Sequence, residues 1–446
     1  MLIRFSVENY LSFRDRVELS MIPGPVEKHA HHVVQPPTPD GIALLKTAII
    51  YGANASGKSN LVKAIFDAQR MIMRPAAAGG KLGIQPFKLD PDSQKRPSRF
   101  EFEIKTKDHC YAYGFAVTTE QVEEEWLYRI GDGEYCIFER KQSDVQFPKL
   151  DFQTDEEKQF LQFIAKGTLP NRLFLSECKE RNVRNHVKGA SALFEVLDWF
   201  DVILTVILPN SICADLGVTM ERTKKFQENL TAILRAFDTG IVGIDLFDDD
   251  MDRFPDDMKK HLTEYFDTHP GELLPASTES HRWLFSRDNQ GCIRGQRLVF
   301  RHGTGNGKEK AQFEWSEESD GTQRLIDLAP AFMLLEFSDR VFIIDEFDRS
   351  LHPDVAHSLI DNLLRHSTGR ESQLIVTTHE TTLLNRDFLR RDEIWLMEKG
   401  KDQASHLIAL EEFKNVPENG DLQRDYLQGR FGGVPVLKDL SVTGCV

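Results

Sequence analysis

Three short stretches predict an α/β fold whose core is divided between the two ends of the chain. The first is an apolar run, Thr47–Tyr51, followed by Gly52–Ser59 and then by Leu61, Ile65, Ala68 and Ile72 at helical spacing. The second is Val341–Ile344, an apolar strand that ends in Asp345 and Glu346, and the third is Leu374–Thr377, an apolar strand that leads into His379. Short runs of this kind suit strands buried on both faces of a mostly parallel sheet.

From the N-terminus, Leu2–Val7 and Arg16–Met21 alternate apolar and polar residues and read as two antiparallel strands. Pro23–Gly41 reads as a loop, Asn60–Met73 as a helix and Pro75–Gly83 as a linker of small residues. Arg99–Ile104, Tyr111–Val117 and Glu125–Ile130 form the pattern of a β-meander. From about Asp155 to about Pro270 the text is mostly helical, with long apolar faces at Leu193–Leu208 and Phe226–Phe237 and no sustained heptad. Strands resume around Arg282–Arg301, and a second α/β half runs from Ser319 to Glu398. The domains expected are 1–150, a β-rich N-terminal lobe; 151–290, a mainly helical insertion; and 291–446, a C-terminal α/β half.

Asp plus Glu outnumber Lys plus Arg by 70 to 55, a net charge of −15, which argues against non-specific coating of nucleic acid by a global positive field. The 30 Phe point to large packed apolar surfaces. Six scattered cysteines with no CxxC pair read as reduced thiols, and the opening residues have no signal-peptide character, so a cytoplasmic location is expected.

Gly52-Ala53-Asn54-Ala55-Ser56-Gly57-Lys58-Ser59 fits GxxxxGKS. Its glycines let backbone N–H groups turn onto phosphate oxygens, and the helix that follows adds the positive end of its dipole. In that reading Lys58 faces the β- and γ-phosphates of ATP, Ser59 offers its hydroxyl to Mg²⁺, and Asn60 closes the loop. Kinases, GTPases and motors share such a cradle. Asp345 and Glu346 narrow the choice, because Asp345 can hold the Mg²⁺ shell while Glu346 orients a water and takes its proton, the work of hydrolysis. A neutral His379 can hydrogen-bond the γ-phosphate.

With these motifs the sequence resembles the ATP-binding-cassette (ABC) type of ATPase, in its RecF/SMC-like soluble branch. Glu318–Arg324, 26 residues before Asp345 when counted from Ser319, stands where that family carries its signature loop; Ser319 and Gly321 fit, while Asp320 takes the place of a second glycine. Asp348–Pro353 fits the loop that follows the catalytic glutamate, and Gln85 is the candidate glutamine that senses Mg²⁺ and water. The opening Ile3–Phe13 also resembles that branch, and the runs Tyr51–Asn60, Pro86–Asp90, Glu125–Tyr128 and Leu427–Gly432 look like the AAA-annotated, OLD-like ATPases of bacterial anti-phage systems.

The resemblance implies ATP sandwiched between two protomers, with Lys58, Ser59, Asp345, Glu346 and His379 from one and the Ser319–Gln323 loop from the other. It also implies a separately encoded effector, a nuclease or toxin. About 45 residues follow Glu398, too few for the Toprim nuclease of OLD proteins proper. The main alternative is a DNA-repair or structural-maintenance ATPase acting directly on DNA; a self-sufficient nuclease and a transporter subunit fit less well.

Three further clusters are read as ordinary surface. His29, His31 and His32 have no matching acid or cysteine nearby in the sequence. The acid-rich Asp245–Asp257 reads as a solvated or partner-facing loop. Lys179, Arg181, Arg184 and Lys188 would line one face of a helix as a solvated basic stripe.

Overall fold

The computed structural model describes every residue except 27, 37–40, 132, 134, 151, 305–309, 368, 415, 417–419 and 435–446. Strands β1 (Leu2–Glu8) and β2 (Val17–Ser20) pair antiparallel as their alternation requires. Two short strands, β3 (Val33–Val34) and β4 (Leu44–Leu45), precede β5 (Thr47–Gly52), all six of whose residues are buried. Helix α1 (Lys58–Met73) begins two residues before its apolar spacing suggests, because Gly57 at φ 118° starts the helix directly from the loop. A meander of five strands follows: β6 (Ser98–Lys105), β7 (Cys110–Val117), β8 (Val122–Ile130), β9 (Tyr135–Lys141) and β10 (Asp144–Gln146).

The next stretch holds α2 (Asp155–Gly167), α3 (Phe174–Glu180), α4 (Ser191–Asp198) and, after a π-helical turn at Trp199–Ile203, β11 (Leu204–Ile207). Then come α5 (Leu216–Arg222), α6 (Lys224–Ala236), β12 (Ile241–Asp249), α7 (Asp256–Thr268), β13 (Leu274–Ser277), β14 (Arg282–Arg287), β15 (Ile293–Gly303) and β16 (Lys310–Phe313). The chain continues through α8 (Asp320–Phe337), β17 (Val341–Ile344), α9 (Pro353–His366), β18 (Gln373–Thr377), β19 (Ile394–Lys399), β20 (Ser405–Ala409) and α10 (Leu422–Leu427).

The chain divides into two compact units, Met1–Pro209 with Leu335–Asp348 and Ile360–Val446, and Asn210–Leu334 with Arg349–Leu359. Residues 151–209 thus belong with the N-terminal strands, and 291–334 with the segment before them. The first unit contains a seven-stranded antiparallel sheet, β10-β9-β8-β7-β6-β1-β2, and a six-stranded sheet, β11-β17-β18-β5-β19-β20, parallel except for β20. The α/β class and the split core are as the sequence predicts. α1 buries Leu61, Val62, Ala64, Ile65, Ala68 and Ile72 in the same apolar cluster as Phe5, Phe100, Phe102 and Phe115. The second unit is built on a five-stranded antiparallel sheet, β12-β15-β14-β13 with β16 on β15, whose Phe285 packs with Leu262 and Phe266 of α7.

Four expectations change. Leu193–Leu208 is no single helical face, because its C-terminal end pairs in parallel with β17 as a core strand; a run this uniformly apolar carries no periodicity to separate the two states. Acidic Asp245, Asp248 and Asp249 lie on β12, where Arg301, Arg294 and the Trp283 Nε1–H respectively meet them across the sheet, so this part of the cluster is strand rather than loop and has its partners within its own sheet. The basic stripe does not form: α3 stops at Glu180, Asn182 turns the chain at φ 53°, and Lys179, Arg181 and Arg184 pair with Asp201, Glu177 and Asp198. Strands β9 and β10 extend the meander beyond the three expected, hidden by polar residues such as Arg140. The five described cysteines are unbridged, and Cys445 lies outside the described residues. Among the described residues no helix is long and apolar enough to cross a membrane.

Arg140 is buried, and it explains how β9 stays in the sheet. Its Nη1 lies 3.6 Å from Glu125 Oε2 on β8, and its guanidinium also donates to the carbonyls of Gln142 and Arg172 at 2.6 Å each. Glu125, fully buried, accepts from the Phe174 N–H at 2.6 Å and from the Leu175 N–H and Tyr113 O–H at 3.0 Å each, so it ties the start of α3 to the meander. Burial pushes its carboxyl up, and Arg140 and these donors pull it back. Arg140→Met should destabilise the protein by about 3–5 kcal/mol in urea unfolding, because it leaves a buried charge without its partner. Adding Glu125→Gln should recover part of the loss; equal stability of wild type and Arg140→Met would rule the pair out as a constraint.

Candidate functional site

Parallel pairing of β17 with β18 and of β18 with β5 brings the C-terminal ends of three strands to one edge. In open α/β sheets that edge is where ligands bind. The loop Gly52–Gly57 leaves β5 there, with Asn54 and Ala55 exposed at its tip and Ala55 at φ 63°. Ser56, Gly57 and Lys58 are buried beneath them. Gly57 has no substitute, since a Cβ on it would run into Ser405 Oγ. Ser405 Oγ donates to Ser56 O at 2.6 Å, its backbone N–H donates to Ser12 O at 2.8 Å, and Asn60 Nδ2 donates to Ser12 Oγ at 2.8 Å. The reversal between β1 and β2 and the start of β20 therefore clasp the loop from outside.

Lys58 is 6% exposed, and its Nζ donates to Gly52 O at 2.7 Å and Ala53 O at 3.2 Å. Burial pushes its ammonium down to about 8, while Asp345, Asp348 and Glu346 pull the other way. A cation held this deep, hydrogen-bonded to carbonyls at the mouth of a loop that no larger residue could line, fits a bound polyphosphate.

Asp345, 1% exposed, accepts at Oδ1 from Ser59 Oγ at 3.2 Å and from Thr377 Oγ1 at 2.6 Å. Hydroxyl and carboxylate oxygens side by side are the donor set that suits Mg²⁺. Glu346 is half-buried at φ 48°, an uncommon conformation for a glutamate, and its N–H donates to the same Thr377 Oγ1 at 2.9 Å. The Phe347 N–H donates to Thr377 O at 2.9 Å. Thr377 thus fixes both acids. Sequence reasoning passed over it, although a threonine ending an apolar strand one position before another threonine and a histidine is a visible signal.

His379 is exposed, and its backbone N–H lies 3.3 Å from both carboxylate oxygens of Asp348. Burial of the ring and the Lys58 charge lower its imidazole, with Asp348, Glu346 and Asp345 opposing, which favours the neutral ring. Lys58, Ser59, Asp345, Glu346 and His379 all belong to one compact unit. Gln85 lies in the same unit, exposed, with its carbonyl accepting from the Leu11 N–H at 2.8 Å; the structure gives its side chain no part in the site.

Ser319 and Gly321 belong to the other unit. Ser319 is exposed at the start of α8, where its Oγ accepts from the Thr322 N–H at 3.1 Å as an N-cap does. Gly321 has to be glycine, because a Cβ would lie 2.5 Å from Ser350 O. The C-terminal run also returns to the first loop: the Tyr51 and Tyr426 rings are 5.9 Å apart, and a Cβ on Gly433 would sit 3.7 Å from Gly52 Cα.

Residues 48–203 and 214–385 match the family described as "AAA domain, putative AbiEii toxin, Type IV TA system". No curated protein sequence matches the chain. Among solved structures the chain is similar to an SMC head domain from Thermotoga maritima, with 12% identity and a TM-score of 0.37 over 92% of this chain and 98% of that one. It is also similar to an Smc head with an extended coiled coil bound to the C-terminal domain of ScpA, derived from Pyrococcus furiosus, with 14% identity and a TM-score of 0.39 over 92% and 97% of the two chains. At such TM-scores the likenesses add nothing to the architecture that the strand order itself defines.

The depressed Lys58 ammonium gives a pH signature. Phosphates would restore its charge, so above about pH 8 binding must take up a proton. Affinity for a non-hydrolysable ATP analogue should be flat from pH 6.5 to 7.5 and fall by up to about tenfold per unit above pH 8. Calorimetric titrations across that range check this, and constant affinity up to pH 10 would remove Lys58 from the phosphate contact.

Proposed function

The chain belongs to this AAA-domain family, and from that premise we propose that it is an ATPase that dimerises around ATP and controls a separately encoded effector, a nuclease or toxin, in a bacterial anti-phage defence system. The observation that supports the hydrolytic part is one continuous hydrogen-bond chain: Ser59 and Thr377 both donate to Asp345 Oδ1, and the Thr377 hydroxyl accepts from the Glu346 N–H. Mg²⁺ bound at Ser59 and Asp345 would neutralise phosphate charge.

The chain's own residues do the rest. Lys58 faces the phosphates with its charge, and the backbone N–H groups of Ala53–Ser59 line the loop. Glu346 orients the attacking water and takes its proton, and neutral His379 hydrogen-bonds the γ-phosphate. Ser319 and Gly321 act on the nucleotide of a second protomer. ATP then joins two protomers and hydrolysis releases them, so the partner must bind one nucleotide state better than the other. The acidic balance of −15 and the internal pairing of Lys179, Arg181 and Arg184 support a protein partner over bare DNA. The family's description names a toxin, which favours a second reading in which this chain is itself the toxic component.

Lys58→Ala should lose most of its affinity for the analogue, whereas Glu346→Gln should keep it and lose hydrolysis by about 10²-fold or more. In light scattering, Glu346→Gln with ATP should accumulate a dimer or larger assembly; an ATP-insensitive mass would overturn the sandwich.

A second measurement separates the readings of role. The pure chain with ATP, Mg²⁺ and phage DNA should leave the DNA intact, and its expression alone should not arrest growth. Cleavage by wild type but not by Glu346→Gln would favour direct action on DNA, and arrest by the chain alone would favour the toxin.

A further inference from the structure

We propose that the turn carrying His29, His31 and His32 is a binding site for a zinc-type divalent cation, held by three imidazole nitrogens with water as a fourth ligand. One nitrogen from each ring lies within 4.8 Å of the others. A tetrahedral zinc with bonds of about 2.0–2.1 Å needs its nitrogens about 3.4 Å apart. The closure required is on the order of 1 Å, within reach of side-chain rotation in exposed His31 and half-buried His29 around buried His32.

The surroundings match a metal site in a way the sequence hides. In the chain the only acid close to these histidines is Glu27, and the fold brings Glu393 to them. His32 Nδ1 lies 3.0 and 3.1 Å from the two Glu393 oxygens, and His29 Nε2 lies 3.0 Å from Arg386 O. An oxygen on one ring nitrogen fixes the tautomer and leaves the opposite nitrogen for a metal, the usual outer arrangement of ligating histidines. The turn is also held in place from behind: Arg390 Nη1 donates to Val26 O and Lys28 O at 2.8 Å each. The Arg390 charge is paired with Asp392, at 2.9 and 2.6 Å, which offsets part of its repulsion of a cation. Imidazole-only donors favour zinc-like ions over Mg²⁺ or Ca²⁺, which separates this site from the one at Ser59 and Asp345. Glu393 immediately precedes β19, which pairs with β5, so an occupied site would stiffen the turn packed against that strand's entry.

The test uses the full chain, stripped with a chelator and kept in excess Mg²⁺ to cover the carboxylate site. Zn²⁺ is titrated against a chromophoric zinc indicator, and Co²⁺ is added separately to read the visible absorption of a tetrahedral site. The expected result is one Zn²⁺ per chain and a tetrahedral Co²⁺ spectrum. His31→Ala removes an exposed ring and leaves the fold intact, and it should weaken Zn²⁺ binding at least about tenfold and abolish the spectrum. His29→Ala should do the same. No Zn²⁺ binding by wild type, or one equivalent that both variants retain unchanged, overturns the proposal.

Discussion

Everything at the site depends on one carboxylate oxygen. Asp345 Oδ1 accepts from Ser59, 286 positions earlier, and from Thr377, 32 positions later. No local element could make either contact. Both follow from strand order, because β18 lies between β17 and β5 and all three run parallel, so their C-terminal ends share one edge. The register Leu374↔Thr47 to Thr377↔Ile50 then fixes the height of Thr377 beside the loop. A slip by one residue would turn the Thr377 hydroxyl to the other face of the sheet.

The same geometry explains why the loop holds a lysine at a cost. Taking an ammonium out of water is unfavourable unless something restores the lost solvation, and two carbonyls restore only part of it. The downward shift of Lys58 records the deficit. Clasped by Ser12, Asn60 and Ser405, the loop cannot relax to let the charge escape to solvent. Such preorganisation is costly in the free protein and favourable once anionic oxygens arrive. Glu346 shows a second instance, with its left-handed backbone held by the Thr377 hydroxyl so that a half-buried carboxylate stands beside the acid that precedes it.

What the sequence made legible follows a physical division. Gly52–Ser59, Asp345-Glu346 and the apolar runs before them announce themselves because each is local, a strand that feeds a turn whose chemistry is written in adjacent residues. Non-local features were not legible. β11 lay hidden in Leu193–Leu208, since a buried strand and a buried helix look alike until a partner strand is known. Arg140 disguised β9, because a charge reads as solvent-facing unless its partner Glu125 is known to lie across the sheet. The acidic stretch at Asp245 and the basic one at Lys179 misled in the same way, each having its counter-charges elsewhere in the chain. Thr377 sat in plain view and lacked only a reason for attention.

Asp348 and Ser350, close in sequence, each make a contact within a different compact unit. Asp348 belongs to the first compact unit, where its carboxylate receives the His379 N–H. Ser350, two residues on at φ 62°, belongs to the second, where its carbonyl leaves no room for a Cβ on Gly321. Each contact stays within its own unit: the Asp348 carboxylate faces the residues that follow β18, and the Ser350 carbonyl restricts position 321 at the start of α8 to glycine.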